Sequence, residues 1–419
     1  MTTASPASRT YDAIDLSSRA FWSTTAVERE RSFAVLRAER PVSWHPPVED
    51  ALMPDPDDPG YWAVTRRADI AAVSRNNEVF LSGQGVMFEN IPEELLEASQ
   101  SFLAMDPPRH TLLRKLVSAA FTPRQVRRIE DSINANAKTI VDELIAAGSG
   151  ADFVEHCAKQ LPIRTLSDMV GIPESERERV AHAADSTVSW ADLESMAGRN
   201  PLEVLVENQL YLHQVANALA AERRENPGDD LFSGLVNAEV DGDRLTDADV
   251  AAFFVLLSVA GNDTTRQTVS HALKALTDFP EQRAWLLEDF DNRIGTAVEE
   301  FIRWSTPVMT FRRTAATDFE LGGQRIRAGE KVVMFYSSGN SDPEAFDRPD
   351  RFDLSRSPNP HLGFGGGGAH FCLGAAVARA QLRAIFGELL RQLPDIRAGE
   401  PSYVAGNFVH AIRSMPCTF

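Results

Sequence analysis

Apolar residues recur at three- and four-residue spacing along most of this 419-residue chain, a pattern typical of amphipathic helices. The segments that show it most clearly are residues 127–147, 204–225, 247–279, 294–304 and 375–393. Two β-prone stretches cover residues 61–65 and 319–336, and glycines interrupt the second at Gly322, Gly323 and Gly329, as hairpin turns do. The pattern predicts a mainly α fold with small β-sheets.

No internal repeat or low-complexity block divides the chain, and the one linker-like stretch is the Pro/Asp-rich run over residues 46–60. We interpret that run as a surface loop. We expect a single domain over residues 1–419 with a flexible N-terminal segment of about 14 residues. Because no strand-Gly-x-Gly-helix unit indicates a flavin or nicotinamide domain, electrons would have to come from another protein.

Composition narrows the class of partner and the cellular compartment. The net charge of −18 and the pI near 5.0 disfavour nucleic acid and anionic membranes as general partners, since both require a basic surface. No stretch has signal-peptide character, and no run of about 18 apolar residues could span a bilayer. The three cysteines, Cys157, Cys372 and Cys417, are too few and too scattered for a disulfide framework or a zinc site. We expect a cytoplasmic protein without a membrane anchor.

One cysteine stands in an unusual context. Cys372 follows the glycines at residues 365–368 and precedes an Ala/Leu-rich helix that begins near Gly374. A thiolate at a helix N-terminus is stabilised by the helix dipole and by free N–H groups, which suits it to bind a metal. Two other interpretations are a structural cysteine in a glycine turn and a phosphate-binding loop, although the Lys-Ser or Lys-Thr of such loops is missing.

The loop formed by Phe364, Gly365, His370, Cys372 and Gly374 resembles the haem-binding loop of cytochromes P-450. That resemblance implies the cytochrome P-450 fold, haem b as cofactor and Cys372 as the iron ligand. Phe364 lies eight residues before the cysteine, whereas the commonest form of the motif has seven, so the packing of Phe364 is the point in doubt. A thiolate ligand favours cleavage of the O–O bond after dioxygen has bound.

A long apolar helix begins at a predicted capping box of Thr246 and Asp249. Its middle, residues 260–265, concentrates poor helix formers where burial is expected to be deepest. A threonine hydroxyl there can bond to the carbonyl four residues earlier and open a polar notch. With the cysteine loop, the segment resembles the oxygen-activation helix of the same family, which implies Asp263 and Thr264 as the acid-alcohol pair that delivers protons. Read alone, the segment is more typical of a simple helix kink.

Other matches to the family follow in the expected order along the chain. Glu300 and Arg303 share a helical face, and the resemblance implies a structural network with Arg351 as third member. Buried haem carboxylates require cations or hydrogen-bond donors. The residues that match the family's propionate-binding positions are His110, Arg114, Arg313 and His370. Each of these residues alone is also typical of an ordinary surface.

The resemblance also implies which segments line a mostly apolar substrate pocket. The predicted lining residues are Val86, Met87, Phe88, Phe254, Ser258, Val308, Met309, Thr310, Asn407, Phe408 and Val409, with the region around Trp190 and Met196. A basic group formed by Arg114, Lys115, Arg124, Arg127 and Arg128 is predicted near the cysteine side of the haem. We expect an acidic ferredoxin, reduced by an NAD(P)H-linked reductase, to dock there. Solvated helix faces are the alternative interpretation of these charges.

The resemblance extends from about Asp15 to Phe419 and implies a monooxygenase that uses O2 to hydroxylate an apolar small molecule. The longer glycine loop, residues 297–323 and the ending FVHAIRSMP look like the actinobacterial methyl-branched lipid omega-hydroxylases and cholesterol side-chain 26/27-hydroxylases. Methyl-branched lipids, steroids and terpenoids are therefore the candidate substrates, and tailoring of secondary metabolites by hydroxylation or epoxidation is an alternative. A non-catalytic haem sensor, a peroxide-driven haem enzyme and a cysteine hydrolase are competing classes.

Overall fold

The computed structural model describes residues 9–49, 51–90, 101–120, 123–187, 198–240 and 242–419. Most of this length is helical. The helices are α1 Arg19–Trp22, α2 Ala26–Glu39, α3 Arg67–Arg75, α4 Arg109–Ala120, α5 Pro123–Ala147, α6 Gln160–Val170, α7 Arg177–Ser186, α8 Pro201–Glu225, α9 Leu231–Val236, α10 Asp247–Asp278, α11 Pro280–Glu288, α12 Phe290–Ser305, α13 Tyr336–Gly339 and α14 Ala375–Gln392. Short 3-10 turns cover Phe102–Ala104 and Glu174–Glu176, and a π-helical turn covers Val154–Ala158.

The strands form one five-stranded sheet and four two-stranded sheets within the described residues. The strands are β1 Val42–His45, β2 Tyr61–Val64, β3 Phe80–Leu81, β4 Glu239–Val240, β5 Asp243–Arg244, β6 Thr310–Ala315, β7 Phe319–Leu321, β8 Gln324–Ile326, β9 Lys331–Phe335, β10 Arg397–Ala398, β11 Ser402–Tyr403, β12 Ile412–Ser414 and β13 Cys417–Thr418. In the large sheet the order is β1-β2-β9-β6-β3, and only the β2–β9 pair is parallel.

The sequence pattern located these elements well. Each of the five predicted helices is present, and the largest differences are the earlier starts of α5 at Pro123 and of α12 at Phe290. The predicted hairpin is the β7–β8 pair, where Gly322 and Gly323 have φ of +56° and +75°. The mainly α fold with small sheets is therefore confirmed.

Helix α10 organises the fold. Its capping box is present, because the hydroxyl of Thr246 accepts from the N–H of Asp249 while the Asp249 carboxylate accepts from the N–H of Thr246. The helix packs against α6, α7, α8, α12 and α14. Apolar residues in its first and last thirds belong to the largest hydrophobic cluster. Among the described residues, no helix has the length and apolar character to cross a membrane.

The predicted flexible N-terminal segment is corrected in part. Residues 1–8 lie outside the described residues, whereas residues 9–14 are held against the large sheet. The guanidinium of Arg9 lies 4.8 Å from the ring centroid of Trp62 and pairs with the carboxylate of Glu330. The N–H of Asp12 donates to the carbonyl oxygen of Trp44 at 2.8 Å. Cation–π contact and backbone pairing therefore fix this part of the chain.

Candidate active site

The free thiol of Cys372 lies directly before α14, whose N-cap is Gly374. The N–H of Cys372 donates to the carbonyl oxygen of Phe364 at 3.1 Å, which closes the glycine loop. The side chain is accessible, yet burial by the surrounding protein raises the pKa of the thiol. The N–H of Gly374 and the guanidinium groups of Arg114 and Arg379 act on this pKa in the opposite direction. The predicted thiol at a helix N-terminus is present.

The longer glycine loop is accommodated by packing against the C-terminal end of α3. A Cβ atom on Gly366 would lie 2.7 Å from Cβ of Ser74. Gly368 has φ of +81°, and a Cβ atom there would lie 2.6 Å from the carbonyl oxygen of Ser74. The Nε of Arg75 donates to the carbonyl oxygen of Gly366 at 3.1 Å. Since a side chain at either glycine would displace backbone atoms, the loop that carries Cys372 depends on this close approach.

The sequence interpretation missed three residues near Phe364. Arg379 binds the carboxylate of Glu299 through hydrogen bonds of 2.6 and 2.8 Å, and its guanidinium lies 4.4 Å from the centroid of the Phe364 ring. His361 Nε2 lies 3.0 Å from the same carboxylate. Burial alone raises the pKa of Glu299, but hydrogen bonds from Arg379 and His361 lower it to about 2. The position of Arg379, two helical turns after Cys372, was the one available signal.

A buried cluster of His110, His370 and Arg313 lies beside the cysteine loop. The rings of His110 and His370 are 4.3 Å apart, and His370 Nε2 lies 3.1 Å from Oγ of Ser82. Burial, followed by the charge of Arg313, lowers the pKa of His370 to about 3, and burial also lowers the pKa of His110. Both histidines are therefore neutral near pH 7, and together with Arg313 they form a donor cluster of low net charge.

This cluster fits the carboxylates of haem. Both ring nitrogens of His110 are buried and have no hydrogen-bond partner among the described residues. A buried nitrogen without a partner costs free energy unless a ligand or water satisfies it. Arg313 is buried and donates from Nη1 to the carbonyl oxygen of Arg312 at 2.7 Å, which leaves its remaining donors to face an anion. A cysteine thiol and a carboxylate-binding cluster on neighbouring elements would therefore fit the iron and the carboxylates of an iron porphyrin.

Arg114 makes different contacts from those predicted for a propionate ligand. Its Nη1 donates to the carbonyl oxygen of Ala369 at 2.9 Å and its Nη2 to that of Phe371 at 2.6 Å. These bonds tie α4 to the cysteine loop. Propionate binding by Arg114 stays a prediction, and the contacts that the structure does give it position the loop instead.

The acid-alcohol pair lies on the middle of α10, where one part of an otherwise buried helix is accessible. The accessible or half-buried positions there are Leu256, Leu257, Val259, Ala260, Gly261 and Thr264. The hydroxyl of Thr264 donates to the carbonyl oxygen of Ala260 at 2.7 Å, as predicted. The helix nevertheless continues without a break from Asp247 to Asp278, so the predicted local opening is not present. The polar notch consists of side chains and not of a broken helix.

Asp263 is held in a buried ionic network that the sequence interpretation did not foresee. Its carboxylate pairs with Arg266 and accepts from Nε2 of Gln267 at 3.1 Å. Arg266 also binds Asp185 of α7 at 2.6 Å, and Asn262 donates to the same Asp185 at 2.7 Å. Burial raises the pKa of Asp185, and the charge of Arg266 opposes that change. The carboxylates of Asp263 and Asp185 therefore share the guanidinium of Arg266.

The predicted Glu-Arg-Arg network requires one correction. Glu300 and Arg303 are almost fully buried and form a bidentate pair with distances of 2.8 and 2.7 Å. The third guanidinium belongs to Arg356, whose Nε lies 3.2 Å from Oε2 of Glu300. Arg351 is exposed and contributes its carbonyl oxygen, which accepts from Arg303 and Arg356. The loop between Asp350 and Arg356 turns back on itself, so the later arginine reaches the carboxylate.

The predicted pocket residues divide into two groups. Met87, Val308, Phe408 and Val409 are half-buried, and an isolated β-bridge joins Val308 to Val409. Thr310, buried at the start of β6, donates through Oγ1 to the carbonyl oxygen of Asn407 at 2.8 Å.

The second group lies in the protein interior, and its role as pocket lining stays a prediction. The residues in question, all nearly or fully buried, are Val86, Phe88, Phe254, Ser258 and Met309. Phe254 packs against Phe232, the hydroxyl of Ser258 donates to the carbonyl oxygen of Phe254, and Phe88 and Met309 belong to the cluster around Trp22. Trp190 and Met196 lie outside the described residues.

The predicted basic group surrounds the cysteine loop only in part. Lys115 on α4 and Arg127 on α5 are exposed. Arg128 is exposed and donates to the carbonyl oxygen of Asp229 at 3.0 Å. Arg114 is tied to the loop as described above, and the side chain of Arg124 lies outside the described residues. Since α5 packs against α14, these charges lie on elements that adjoin the cysteine.

A thiol at a helix N-terminus, a polar pair on a long central helix and a buried histidine–arginine cluster together define the haem-thiolate class of proteins. Comparison with known proteins supports the same class. The family model described as cytochrome P-450 matches residues 199–394. A methyl-branched lipid omega-hydroxylase from Mycobacterium tuberculosis is 42% identical over 97% of this chain and 94% of its own length. The chain belongs to the cytochrome P-450 family and is a monooxygenase with haem b as cofactor.

Two further relatives agree with the predicted subgroup. A steroid C26-monooxygenase from Rhodococcus jostii is 38% identical over 91% of this chain and 80% of its own length. A cytochrome P-450 from Mycobacterium marinum, solved in complex with pseudoionone, is 81% identical, with a TM-score of 0.95 over 98% of this chain and 99% of that one. The resemblance to the lipid and steroid hydroxylases is therefore confirmed.

Proposed function

We propose that this monooxygenase hydroxylates a methyl-branched apolar chain, such as an isoprenoid or a branched lipid. The observation that supports this proposal most strongly is the 81% identity to the Mycobacterium marinum protein solved with pseudoionone, which is an acyclic methyl-branched ketone. The names of the lipid and steroid relatives agree, because both describe oxidation of branched aliphatic chains. Hydroxylation of a steroid side chain is the second candidate, and the Rhodococcus jostii relative favours it.

Bound haem would supply the oxidising chemistry: reduction of dioxygen with two electrons and two protons, with one oxygen atom inserted into a C–H bond and the other released as water. In our proposal, Cys372 binds the iron through its sulfur. The buried cluster of His110, His370 and Arg313 holds the haem carboxylates, and the N–H of Gly374 donates to the Cys372 sulfur. Phe364 packs beside Arg379 and accepts the hydrogen bond of the Cys372 N–H.

We assign proton delivery to Asp263 and Thr264. The hydroxyl of Thr264 is held by its bond to Ala260 O, which leaves its lone pairs free to accept a hydrogen bond from water on the accessible side of α10. The carboxylate of Asp263 faces Arg266 and Gln267, so it must leave that network to pass a proton toward Thr264 Oγ1. The proposed role of the Asp263 carboxylate is therefore to exchange between its contacts with Arg266 and Gln267 and a position near Thr264 Oγ1.

The substrate would lie against the accessible positions of α10, of which Ala260 and Thr264 are one helical turn apart, and the half-buried residues Met87, Val308 and Phe408. Most of these side chains are apolar, so affinity would come from hydrophobic burial with few polar anchors. An acidic ferredoxin with its reductase is the proposed electron source. The cytoplasmic location and the single-domain organisation stay predictions from the sequence.

The test begins with the reduced, carbon monoxide-bound absorbance spectrum of the wild type and of Cys372→Ser. We expect a thiolate-type Soret band that the substitution removes. Spin-state titrations then compare pseudoionone, a branched fatty acid, its straight-chain isomer and cholesterol, and product analysis uses a surrogate ferredoxin system. Binding and hydroxylation of the branched compounds alone would support the proposal, whereas equal binding of the straight-chain isomer would contradict the substrate class.

A further inference from the structure

We propose that residues 51–60 of the Pro/Asp-rich loop position the pocket loop, residues 84–90, through Asn90 and Arg312, and so determine which apolar substrates bind. This inference rests on the proposed function, because it takes the half-buried Met87 of the pocket loop as a substrate contact. Asn90 and Arg312 are positioning residues in this scheme.

Arg312 is the centre of the connection. It lies on β6 and is only 5% exposed, yet it has no ion-pair partner among the described residues. Its Nη2 donates to the carbonyl oxygen of Gln84 at 2.7 Å, and its Nη1 donates to the carbonyl oxygen of Glu89 and to Oδ1 of Asn90, both at 2.9 Å. A buried guanidinium needs such partners, because an unsatisfied charge is costly. Arg312 therefore fixes both ends of the pocket loop.

Asn90 carries the connection onward to the Pro/Asp-rich loop. Its Nδ2 donates to Oδ2 of Asp55 at 2.9 Å and to Oδ2 of Asp58 at 3.3 Å. Asp58 in turn pairs with Lys331 of β9, and both side chains are less than a tenth exposed. The pocket loop is thus joined through one amide to a buried ion pair of the large sheet.

A second contact joins the same two loops. The N–H of Leu52 donates to Oε2 of Glu89 at 2.6 Å, and Glu89 is buried. Burial raises the pKa of Glu89 to about 7, while the Leu52 N–H and the charge of Lys331 act in the opposite direction. Lys331 is the charged group that acts on this carboxylate, and Asp58 and Arg312 act in turn on Lys331.

The pocket loop leads directly to the cofactor cluster. Ser82, just before it, contacts His370, and the N–H groups of Ser82 and Gly83 each donate to Asp106 at 2.8 Å. Inside the loop, Phe88 is anchored 4.7 Å from the ring of Tyr61. With one end fixed near the haem carboxylates and the other by Asn90, a shift of Asn90 is transmitted to Met87.

The experiment uses the full haem-loaded protein with Asn90→Ala and Asn90→Asp. The aspartate keeps an acceptor for Arg312, loses the two donors and places a third carboxylate beside Asp55 and Asp58. Asp55→Asn is a mild second variant. Asp57→Asn is the matched control, because it removes the same charge from an exposed residue of the same loop.

We expect both Asn90 variants to weaken pseudoionone binding about tenfold, the ratio that corresponds to one lost charge-assisted hydrogen bond. The hydroxylation site should become less selective, kcat should change less than KM, and the carbon monoxide spectrum should stay wild-type. Asp57→Asn should bind within about twofold of wild type.

Unchanged affinity and product ratio in both Asn90 variants would overturn the inference. If either variant loses the thiolate-type spectrum, Asp55→Asn decides: a weakened affinity with a wild-type spectrum supports the connection, and wild-type affinity rejects it. A wild type that binds no branched compound would instead reject the proposed function, so the two failures are distinguishable.

Discussion

Glu300 shows how much a single buried carboxylate depends on its neighbours. It is fully buried, and Arg303, Arg356 and Asn359 all donate to it. Loss of one partner leaves part of a buried charge uncompensated, which is strongly destabilising. Arg356→Ala should therefore lower the free energy of unfolding by about 2–4 kcal/mol and reduce haem retention.

The matched control is Arg351→Ala, because the exposed Arg351 contributes only a carbonyl oxygen that alanine keeps. It should change the free energy of unfolding by less than about 0.5 kcal/mol. Denaturant unfolding of both variants, followed by haem absorbance and tryptophan fluorescence, measures the difference. Equal losses for the two variants would contradict this assignment, because the Arg351 side chain would then support Glu300 as much as Arg356 does.

Glu89 makes stability depend on pH near neutrality. Burial raises its pKa from 4.5 to about 7 in the folded state. The folded protein therefore binds this proton more tightly than the unfolded chain, so the stabilisation is complete below about pH 4.5 and is lost as the pH rises through 7. Relative to Glu89→Gln, the wild type should lose about 2–3 kcal/mol of unfolding free energy between pH 5 and pH 8. A pH-independent difference between the two proteins would contradict this assignment.

At the scale of elements, the glycines of two motifs differ in the space that the surrounding residues leave for a side chain. A Cβ atom on Gly366 would meet Ser74 and Ala71 of α3, both within 3.0 Å, whereas a Cβ atom on Gly261 of α10 would meet nothing within 4 Å. Gly366→Ala should displace the cysteine loop and reduce the fraction of protein with a thiolate-type carbon monoxide spectrum. Gly261→Ala should stabilise α10 by up to about 1 kcal/mol through helix propensity and leave the spectrum intact.

The two glycine variants are compared by the carbon monoxide difference spectrum and by thermal unfolding. Gly261→Ala also adds a methyl group at the accessible notch, so substrate affinity should fall while the spectrum stays wild-type. A wild-type carbon monoxide spectrum in Gly366→Ala would show that α3 moves to accommodate the methyl group and does not fix the position of the cysteine loop.

The limits of sequence reasoning are clearest in α10 and in the loop after Asp350. Helical spacing predicted the helix and its cap, because both depend on local chemistry. It could not show which face of a helix buried on nearly all sides is accessible, and Phe254 and Ser258, which were predicted to line the pocket, are fully buried. The family resemblance implied Arg351, and an irregular loop has no periodicity that could have indicated Arg356, because only the tertiary fold decides which guanidinium reaches Glu300.

Contacts between motif residues and residues far away in the sequence likewise could not be predicted. Asp185 lies 78 residues before Asp263, as the two residue numbers show, yet both bind Arg266. The same holds for Asn90 and Asp58, which meet because β9 lies between β2 and β6 in the sheet. Motif spacing and the family resemblance named the proposed ligand and the proposed acid-alcohol pair, while the residues that hold them come from helix and strand packing.

Over the whole molecule, a net charge of −18 coexists with exposed cations on α4 and α5 beside the cysteine loop. An acidic electron donor would be repelled by most of the surface and attracted to this region, which favours one docking orientation. Lys115→Glu with Arg127→Glu should slow reduction by an acidic ferredoxin at least tenfold at low salt. Since screening shortens the reach of these charges, the gap from wild type should narrow as salt is raised.

A double variant with the same change in net charge, Arg31→Glu with Arg327→Glu, is the control, because both residues are exposed on other elements, α2 and the turn after β8. Stopped-flow reduction, monitored through the carbon monoxide complex, gives the rate for each protein. If both double variants slow reduction equally, global repulsion and not local docking sets the rate. If only the Lys115 and Arg127 reversals slow it, the donor docks beside the cysteine, where the path for electrons to the thiolate-bound iron is shortest.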